Sequence, residues 1–464
     1  MAATIQTEME LYIKQEGLTV TRFAERIGIN AGTVSNILNG HRSISVTQLD
    51  RITEVMGLPE GTYYEMFLEE YLAASSLDWR RIGPFFERCA ELDKLLLMQQ
   101  AARRVMDNLS YAGPLFEMAE HWYRENKWEA AAILYQTVAD SEKYQHSERL
   151  AVCHYRLFKI TLGDNQEVNA QAASRFELYV DRLDETEQLD ALKDLIDIYA
   201  SLQRYDKVDE LAEKLGSKSR ILYDLKHKRG KVKMQSSSNR EPLMPLVGYA
   251  LYSYLMRGTV CKEYGQFDKA LYYTTLYNNP DWVLEGDLES LPAIKKFQEW
   301  AEANVHLYKL MAGDAKALLK YIAYITTCED ELLNGLFSVL QASIRHHLNV
   351  DKLLKEYQGY ILKVFHQGPN NNYNHQVMNT KFAHFLADLA CYYLNQQKFD
   401  VGINWIIKSL AYSVRINQEG CIIRCVGLFE RFRHFAKADQ QSEYQKIILE
   451  AQNNDEKEVI GRIS

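Results

Sequence analysis

The sequence predicts an all-α protein: an N-terminal helix-turn-helix bundle followed by a long α-solenoid of helix pairs. Three observations predict it. Glycine (23) and proline (8) together make up only 31 of 464 residues, where average usage would supply roughly 55. Turn formers are scarce, so long helices with short connections are favoured. Hydrophobic residues are 47% of the chain, ample for a buried core. A short turn motif also returns along the last 340 or so residues, as a repeat architecture requires.

The balance of charge narrows the function classes. Lys plus Arg total 54 against 62 Asp plus Glu, a net charge of −8. That excludes a histone-like or polybasic protein but not a small DNA-reading module on an acidic body, because binding follows the local field. Cys89, Cys153, Cys261, Cys328, Cys391, Cys421 and Cys425 show no CxxC pair. Reduced, buried thiols in a cytoplasmic protein are expected. No run of about 18 uncharged apolar residues predicts a membrane span. The opening MAATIQTEMELYIKQEG has neither the basic nor the apolar region of a signal peptide.

Residues 6–58 read as four compact helices. Gln6–Glu16 places Met9, Tyr12 and Ile13 on one face and stops at Gly17. Val20–Ile27 turns Phe23, Ala24 and Ile27 inward, and Gly28 suits a left-handed C-terminal turn. Asn30 can cap Ala31–Leu38. Ser45-Val46-Thr47-Gln48 is a capping box that opens a fourth helix running to about Met56. Two short helices across a tight glycine turn, with small Ala24 at their crossing, describe a helix-turn-helix. The expected domain is 1–70.

The pattern Phe23-Ala24-x-x-Ile27-Gly28-Ile29…Val34-Ser35-x-Ile37-Leu38-Asn39-Gly40 resembles the phage-repressor-like (Cro/C1, XRE) helix-turn-helix family over about fifty residues. The resemblance implies that the third helix enters the major groove with its N-terminal residues on base edges. That assigns DNA contacts to Thr21, Asn30, Thr33, Ser35, Asn36, Asn39, His41 and Arg42. Asn36 has the amide needed to pair bidentately with adenine; Ala31 and Gly32 have little to offer. Where the family usually has Gln, this chain has Val20 or Thr21. Residues 1–70 carry five basic and ten acidic side chains, but Thr19–Arg42 carries three basic (Arg22, Arg26, Arg42) to one acidic (Glu25). So mild a field predicts weak binding by one copy and a homodimer on two half-sites, about 34 Å apart.

From Trp79 onward the chain reads as amphipathic helix pairs. Tyr123–Ala131 returns as Tyr199–Val208, Cys261–Ala270 and Tyr393–Asp400. Weaker copies surround Gly163-Asp164, Gly313-Asp314 and Asn349-Val350-Asp351. Each copy has an aromatic at the turn (Trp128, Tyr205, Phe267, Phe399) to plug the pair. Small residues (Ala131, Ala270, Gly402, with Gly258 in a first helix) allow close approach. This resembles a degenerate tetratricopeptide repeat, whose period is 34 residues, and implies a right-handed solenoid with a concave groove over 71–464. Mapping the repeat places Tyr252, Leu255, Thr259 and Lys262 on the groove, with His384, Ala387, Cys391 and Asn395 on a second helix. Asn304, His346 and Asn379 fall on or near other first helices. Two segments interrupt the pattern. Gly216–Pro245, with eight Lys/Arg against Asp224 and Glu241, reads as a solvated basic linker or a non-specific phosphate contact. Gly368–Gln376 reads as a loop.

A repressor-like head on a tetratricopeptide-like body resembles the RRNPP family of peptide-pheromone receptors, particularly larger members akin to the phage arbitrium receptors. The resemblance rests on the head, the repeat turns and the segment Pro242–Ala270. It implies a cytoplasmic, quorum-sensing transcription regulator that dimerises, binds an operator and takes a short signalling peptide in its groove. Peptide binding would then alter the spacing of the two DNA heads. Two alternatives stay open: a scaffold for a protein partner, and a repressor with no peptide ligand. No catalytic motif is present, so no enzyme, cofactor or metal is expected. Cys421 and Cys425 share a helical face, but with no histidine near in sequence they read as buried thiols.

Overall fold

The computed structural model describes residues 4–73, 78–145, 147–228, 241–284, 287–369 and 374–461. Among them are 24 α-helices, three short 3-10 helices and no strand. The chain divides into two compact units, Met1–Thr161 with Leu178–Leu183, and Leu162–Glu177 with Asp184–Ser464.

The first unit begins with α1 (Ile5–Gln15), α2 (Val20–Ile27), α3 (Ala31–Leu38) and α4 (Val46–Val55). Their starts are set by side chains. Thr4 and Thr7 form a capping box on α1, and Ser45 with Gln48 forms one on α4. Thr19 caps α2 and Asn30 caps α3, each satisfying an amide that the first helical turn leaves free. Then come α5 (Tyr64–Ala73), α6 (Trp79–Glu91), α7 (Leu95–Val105), α8 (Ala112–Arg124), α9 (Trp128–Ser141) and α10 (Glu148–Thr161). The packing does not break near residue 70. One core runs from Ile5 and Met9 through Phe23, Val34 and Leu49 to Phe85, Phe86, Leu134 and Cys153.

The second unit comprises α11 (Gln166–Glu177), α12 (Glu185–Ser201), α13 (Tyr205–Lys228), α14 (Leu246–Glu263), α15 (Phe267–Asn278), α16 (Leu291–Met311), α17 (Ala317–Ile325) and α18 (Glu329–His346). It continues with α19 (Asp351–Glu356), α20 (Gln358–Gln367), α21 (His375–Asn395), α22 (Phe399–Arg415), α23 (Glu419–Phe432) and α24 (Ala438–Gly461). Packing is dominated by helices adjacent in sequence, α12 through α17 and α21 through α23. That is the connectivity of a helical solenoid.

The recurring sequence motif is a recurring turn. At α8–α9 the Lys127 N–H donates to Trp122 O at 2.9 Å, with Asn126 at φ 59°. Arg204 to Tyr199 (2.9 Å), Gln266 to Cys261 (2.8 Å) and Lys398 to Tyr393 (3.0 Å) repeat the bond, around Gln203, Gly265 and Gln397 at φ 57°, 70° and 60°. This is the Schellman closure, in which one left-handed residue lets the chain reverse while the last carbonyls stay bonded.

Several expectations are corrected. Trp128 does not plug its pair: it is 53% exposed, with no ring or cation partner among the described residues. The equivalent Phe267 is buried beneath the Arg345 guanidinium, 5.1 Å from its ring. Gly258 is not a point of forced approach, since an added Cβ would meet Tyr273 Cβ at an ordinary 3.5 Å. Gly402 is one: its Cβ would lie 2.7 Å from Leu394 Cγ. In the basic segment, Gly216–Lys228 is the end of α13 rather than a linker. Gly216 is buried, and a Cβ there would fall 2.4 Å from Ser253 Oγ on α14. The segment's remaining basic residues, 229–240, lie outside the described residues, as do 370–373 of the second expected loop. Asn374 caps α21, and His375 and Gln376 already belong to that helix.

The two glycines predict opposite effects. Gly402→Ala should destabilise by about 1–3 kcal/mol through overpacking. Gly258→Ala should be neutral or stabilise by about 0.5–1 kcal/mol, because alanine restrains the unfolded chain. Urea unfolding of the two variants checks both signs.

Candidate nucleic-acid interface

The helix-turn-helix is built from its turn outward. Gly28 sits at φ 65°, and its N–H and that of Ile29 close onto the carbonyls of Glu25 and Ala24 at 3.3 and 3.0 Å. Ala24 is almost fully buried beside Phe23 and Ile27, and α3 buries Val34 and Ile37. That leaves Gly32, Asn36 and the C-cap residue Asn39 exposed at i, i+4 and i+7, one stripe along α3 and its cap turned to solvent.

The assigned DNA residues separate by role. Asn36 is exposed and its amide has no hydrogen-bond partner among the described residues. Its carbonyl accepts the N–H groups of His41 (2.9 Å) and Arg42 (3.1 Å), which folds the chain back and leaves both side chains exposed just beyond α3. Thr33 and Ser35 are half-buried at the flanks of the stripe, and Ser35 Oγ accepts from Asn39 Nδ2 at 3.4 Å. Thr21 is exposed in the first turn of α2. Asn30 is engaged in capping: its Oδ1 accepts the Gly32 N–H at 2.8 Å, and its amide nitrogen has no hydrogen-bond partner among the described residues. Arg22, Arg26 and Arg42 are all exposed, Glu25 also.

Sequence reasoning missed the groups that hold this surface in place. Arg51 of α4 donates to Gly28 O at 3.3 Å, strapping the turn. Arg81 of α6 donates to Ile44 O at 3.2 Å, at the end of the loop that carries His41 and Arg42. Asp50 of α4 accepts from Tyr64 Oη (2.7 Å) and from Arg88 Nε of α6 (2.9 Å), and Arg88 also pairs with Glu60 and Glu91. Burial and the Asp50 hydrogen bond push the Tyr64 phenol well above its ordinary range. These partners lie up to 38 residues apart, and no local pattern announces them.

In the second unit the assigned peptide-contact residues do not form one free surface. Tyr252 is buried and gives its hydroxyl to Asp197. Thr259 Oγ1 donates to Leu255 O at 3.0 Å, and Lys262 pairs with neighbouring Glu263 at 2.6 Å. Asn304 Nδ2 donates to Tyr277 Oη at 3.0 Å, and Asn379 Oδ1 accepts from Tyr412 Oη at 2.6 Å. Each of these hydrogen-bonding groups already has a protein partner. Ala387, expected on the groove, is fully buried. His346 and His384 do reach open clefts. His346 lies 2.8 Å from Met311 O in a cleft of about 540 Å³ lined by Gly265–Lys269, Met311, Ala312 and Arg345. His384 lines a second cleft of about 390 Å³ with Gln341, Ile344, Arg345, Asp388 and Arg424.

Behind His384 lies Cys421. Both Cys421 and Cys425 are fully buried, and Cys425 Sγ donates to Ser409 Oγ at 3.2 Å. The neighbouring Cys425 and His384 draw the Cys421 thiol down, and Cys421 in turn raises the His384 imidazole. The fold thus supplies the histidine that sequence proximity did not. No group of three or more His, Cys, Asp or Glu among the described residues is arranged to hold a metal ion.

Residues 9–62 match the Helix-turn-helix family. No curated protein and no solved structure matches the chain. The match assigns α1–α4 as a DNA-binding head of the kind carried by transcription regulators. No helix among the described residues is long and apolar enough to cross a membrane.

Two kinds of substitution should separate reading from anchoring. Thr33→Ala with Asn36→Ala should remove about 1–3 kcal/mol of discrimination per lost base contact while leaving the circular dichroism spectrum unchanged. Arg42→Ala should weaken all sequences alike and reduce the slope of log K against log salt by about one. Fluorescence anisotropy on specific and scrambled duplexes distinguishes the two.

Proposed function

We propose that this protein is a dimeric transcription regulator that reads DNA with α3 and whose helical body takes a short signalling peptide. The observation that carries the reading is the exposed Gly32–Asn36–Asn39 stripe on a helix-turn-helix matched by family, in one chain with a long stack of helix pairs. Asn36 and Thr33 read bases; Thr21, Ser35, Asn39, His41 and Arg42 meet the backbone. The DNA field is weak, with few exposed arginines, so two heads on two half-sites supply affinity and specificity together.

The body fits a peptide because helix-pair stacks present long, amphipathic surfaces. Here the open clefts converge on α18, beside His346 and His384. By linkage, a peptide that changes DNA affinity by some factor has its own affinity changed by DNA by that same factor. The body then biases the separation or pairing of the two heads.

Genomic fragments captured by the purified full chain, with and without peptide extract from the host's conditioned medium, test the reading. The expected result is a two-half-site motif with centres one helical turn apart, about 34 Å or a multiple, whose occupancy changes with extract. A motif indifferent to extract would remove the peptide. Capture of no motif under either condition would remove the regulator.

A further inference from the structure

We propose that the two clefts flanking Arg345 form a carboxylate-anchoring site, in which this guanidinium holds a carboxylate of a short peptide ligand. The proposal rests on the peptide reading above and adds the chemistry of the contact. Arg345 lies near the end of α18, is exposed, and belongs to the walls of both clefts. It has no ion-pair partner among the described residues. Its guanidinium lies 5.1 Å from the Phe267 ring, a contact that orients an arginine while leaving its N–H edges free to donate.

The remaining charges single it out. In the first cleft Asp268 and Lys269 are of opposite sign and adjacent. In the second, Asp388 is taken by Arg424 at 2.5 Å. Together the two clefts hold Arg345, Lys269 and Arg424 against Asp268 and Asp388, one cation in excess, and Arg345 is in no ion pair among the described residues. His346 and His384 stand on either side. A site with a surplus cation, a planar two-pronged donor and no acidic partner for it selects a carboxylate, which accepts two parallel N–H bonds from arginine. The larger cleft, about 540 Å³, is within the range of ligand sites, about 300–1,000 Å³. The second cleft, about 390 Å³, shares the Arg345 wall, and two clefts on one arginine suit a chain better than a small acid.

The test uses the full chain and defined probes: a synthetic hexapeptide pool without Asp or Glu, as free acid and as C-terminal amide; an amidated pool containing Asp; and N-acetylalanine. Retention is compared for wild type, Arg345→Gln, Arg345→Lys and the surface control Lys320→Gln, with thermal melting to confirm folding. The expected result is that wild type and Lys320→Gln retain a carboxylate-bearing pool at least tenfold over the carboxylate-free amide, the amount one charge-assisted bond supplies. Arg345→Gln should abolish the preference and Arg345→Lys restore part of it. Preference for the free acid marks the C-terminus as the anchor; preference for the amidated Asp pool marks a side chain. Retention of all pools alike by wild type and Arg345→Gln overturns the anchor and leaves the peptide reading intact. Arg345-dependent binding of N-acetylalanine with no pool retained keeps the carboxylate site and removes the peptide. Absence of binding by every probe overturns the proposal.

Discussion

The architecture depends on one backbone event: a helix must end, reverse and restart within three residues without abandoning its terminal carbonyls. A single left-handed residue does this at each recurring turn. Glycine takes the conformation without penalty, and Gly28 and Gly265 do so. Asn126, Gln203, Gln397 and Asn417 take it as non-glycine residues, at a cost of order 1 kcal/mol each. That cost is sustained because the helices on both sides are packed into a common core. The turn, rather than any side-chain signature, is the repeating unit of the body. The same closure at Gly28 sets the crossing of α2 and α3, so the exposed α3 stripe and the helix stack rest on one solution.

Side chains then decide what each reversal exposes. At the head, caps and buried Ala24 fix α3 so that only a narrow polar stripe remains outside. Arg51, Arg81 and the Asp50–Tyr64–Arg88 cluster hold that stripe from behind. In the second unit most polar groups on the helix faces are spent on one another, Tyr252 on Asp197 and Asn379 on Tyr412. The clefts beside His346 and His384 both border α18. Burying a hydrogen-bonding group without a partner is costly, so the few groups left free stand out.

The head was legible because its signals are local. Thr19, Asn30 and Ser45 begin helices, Gly28 ends one, and the match to the Helix-turn-helix family falls on the same stretch. The all-α class and the recurring turns were legible for the same reason. What sequence did not disclose was long-range. Tyr252 looked like a groove aromatic until Asp197, 55 residues away, claimed its hydroxyl. Cys421 had no histidine nearby until α21 brought His384 to it. Trp128 and Phe267 occupy equivalent turn positions, yet only Phe267 has an arginine over it. The charge run at Gly216–Lys228 suggested a solvated strand of chain, but the small residues Gly216, Ser219 and Ser253 form a tight seam between α13 and α14.

The unbroken core from α1 to α10 bears on how such a protein diversifies. A reading head whose loop is held by Arg81 and whose fourth helix is clasped by Arg88 is not a detachable cassette. Recombination at the edge of the family match, near residue 62, would separate Asp50 from both Tyr64 and Arg88 and part the head from Phe85 and Phe86 of the shared core. If α3 reads DNA as proposed, a change of target is more accessible through point changes on its exposed stripe than through exchange of whole heads. A viable chimera would have to carry α5 and α6 with it.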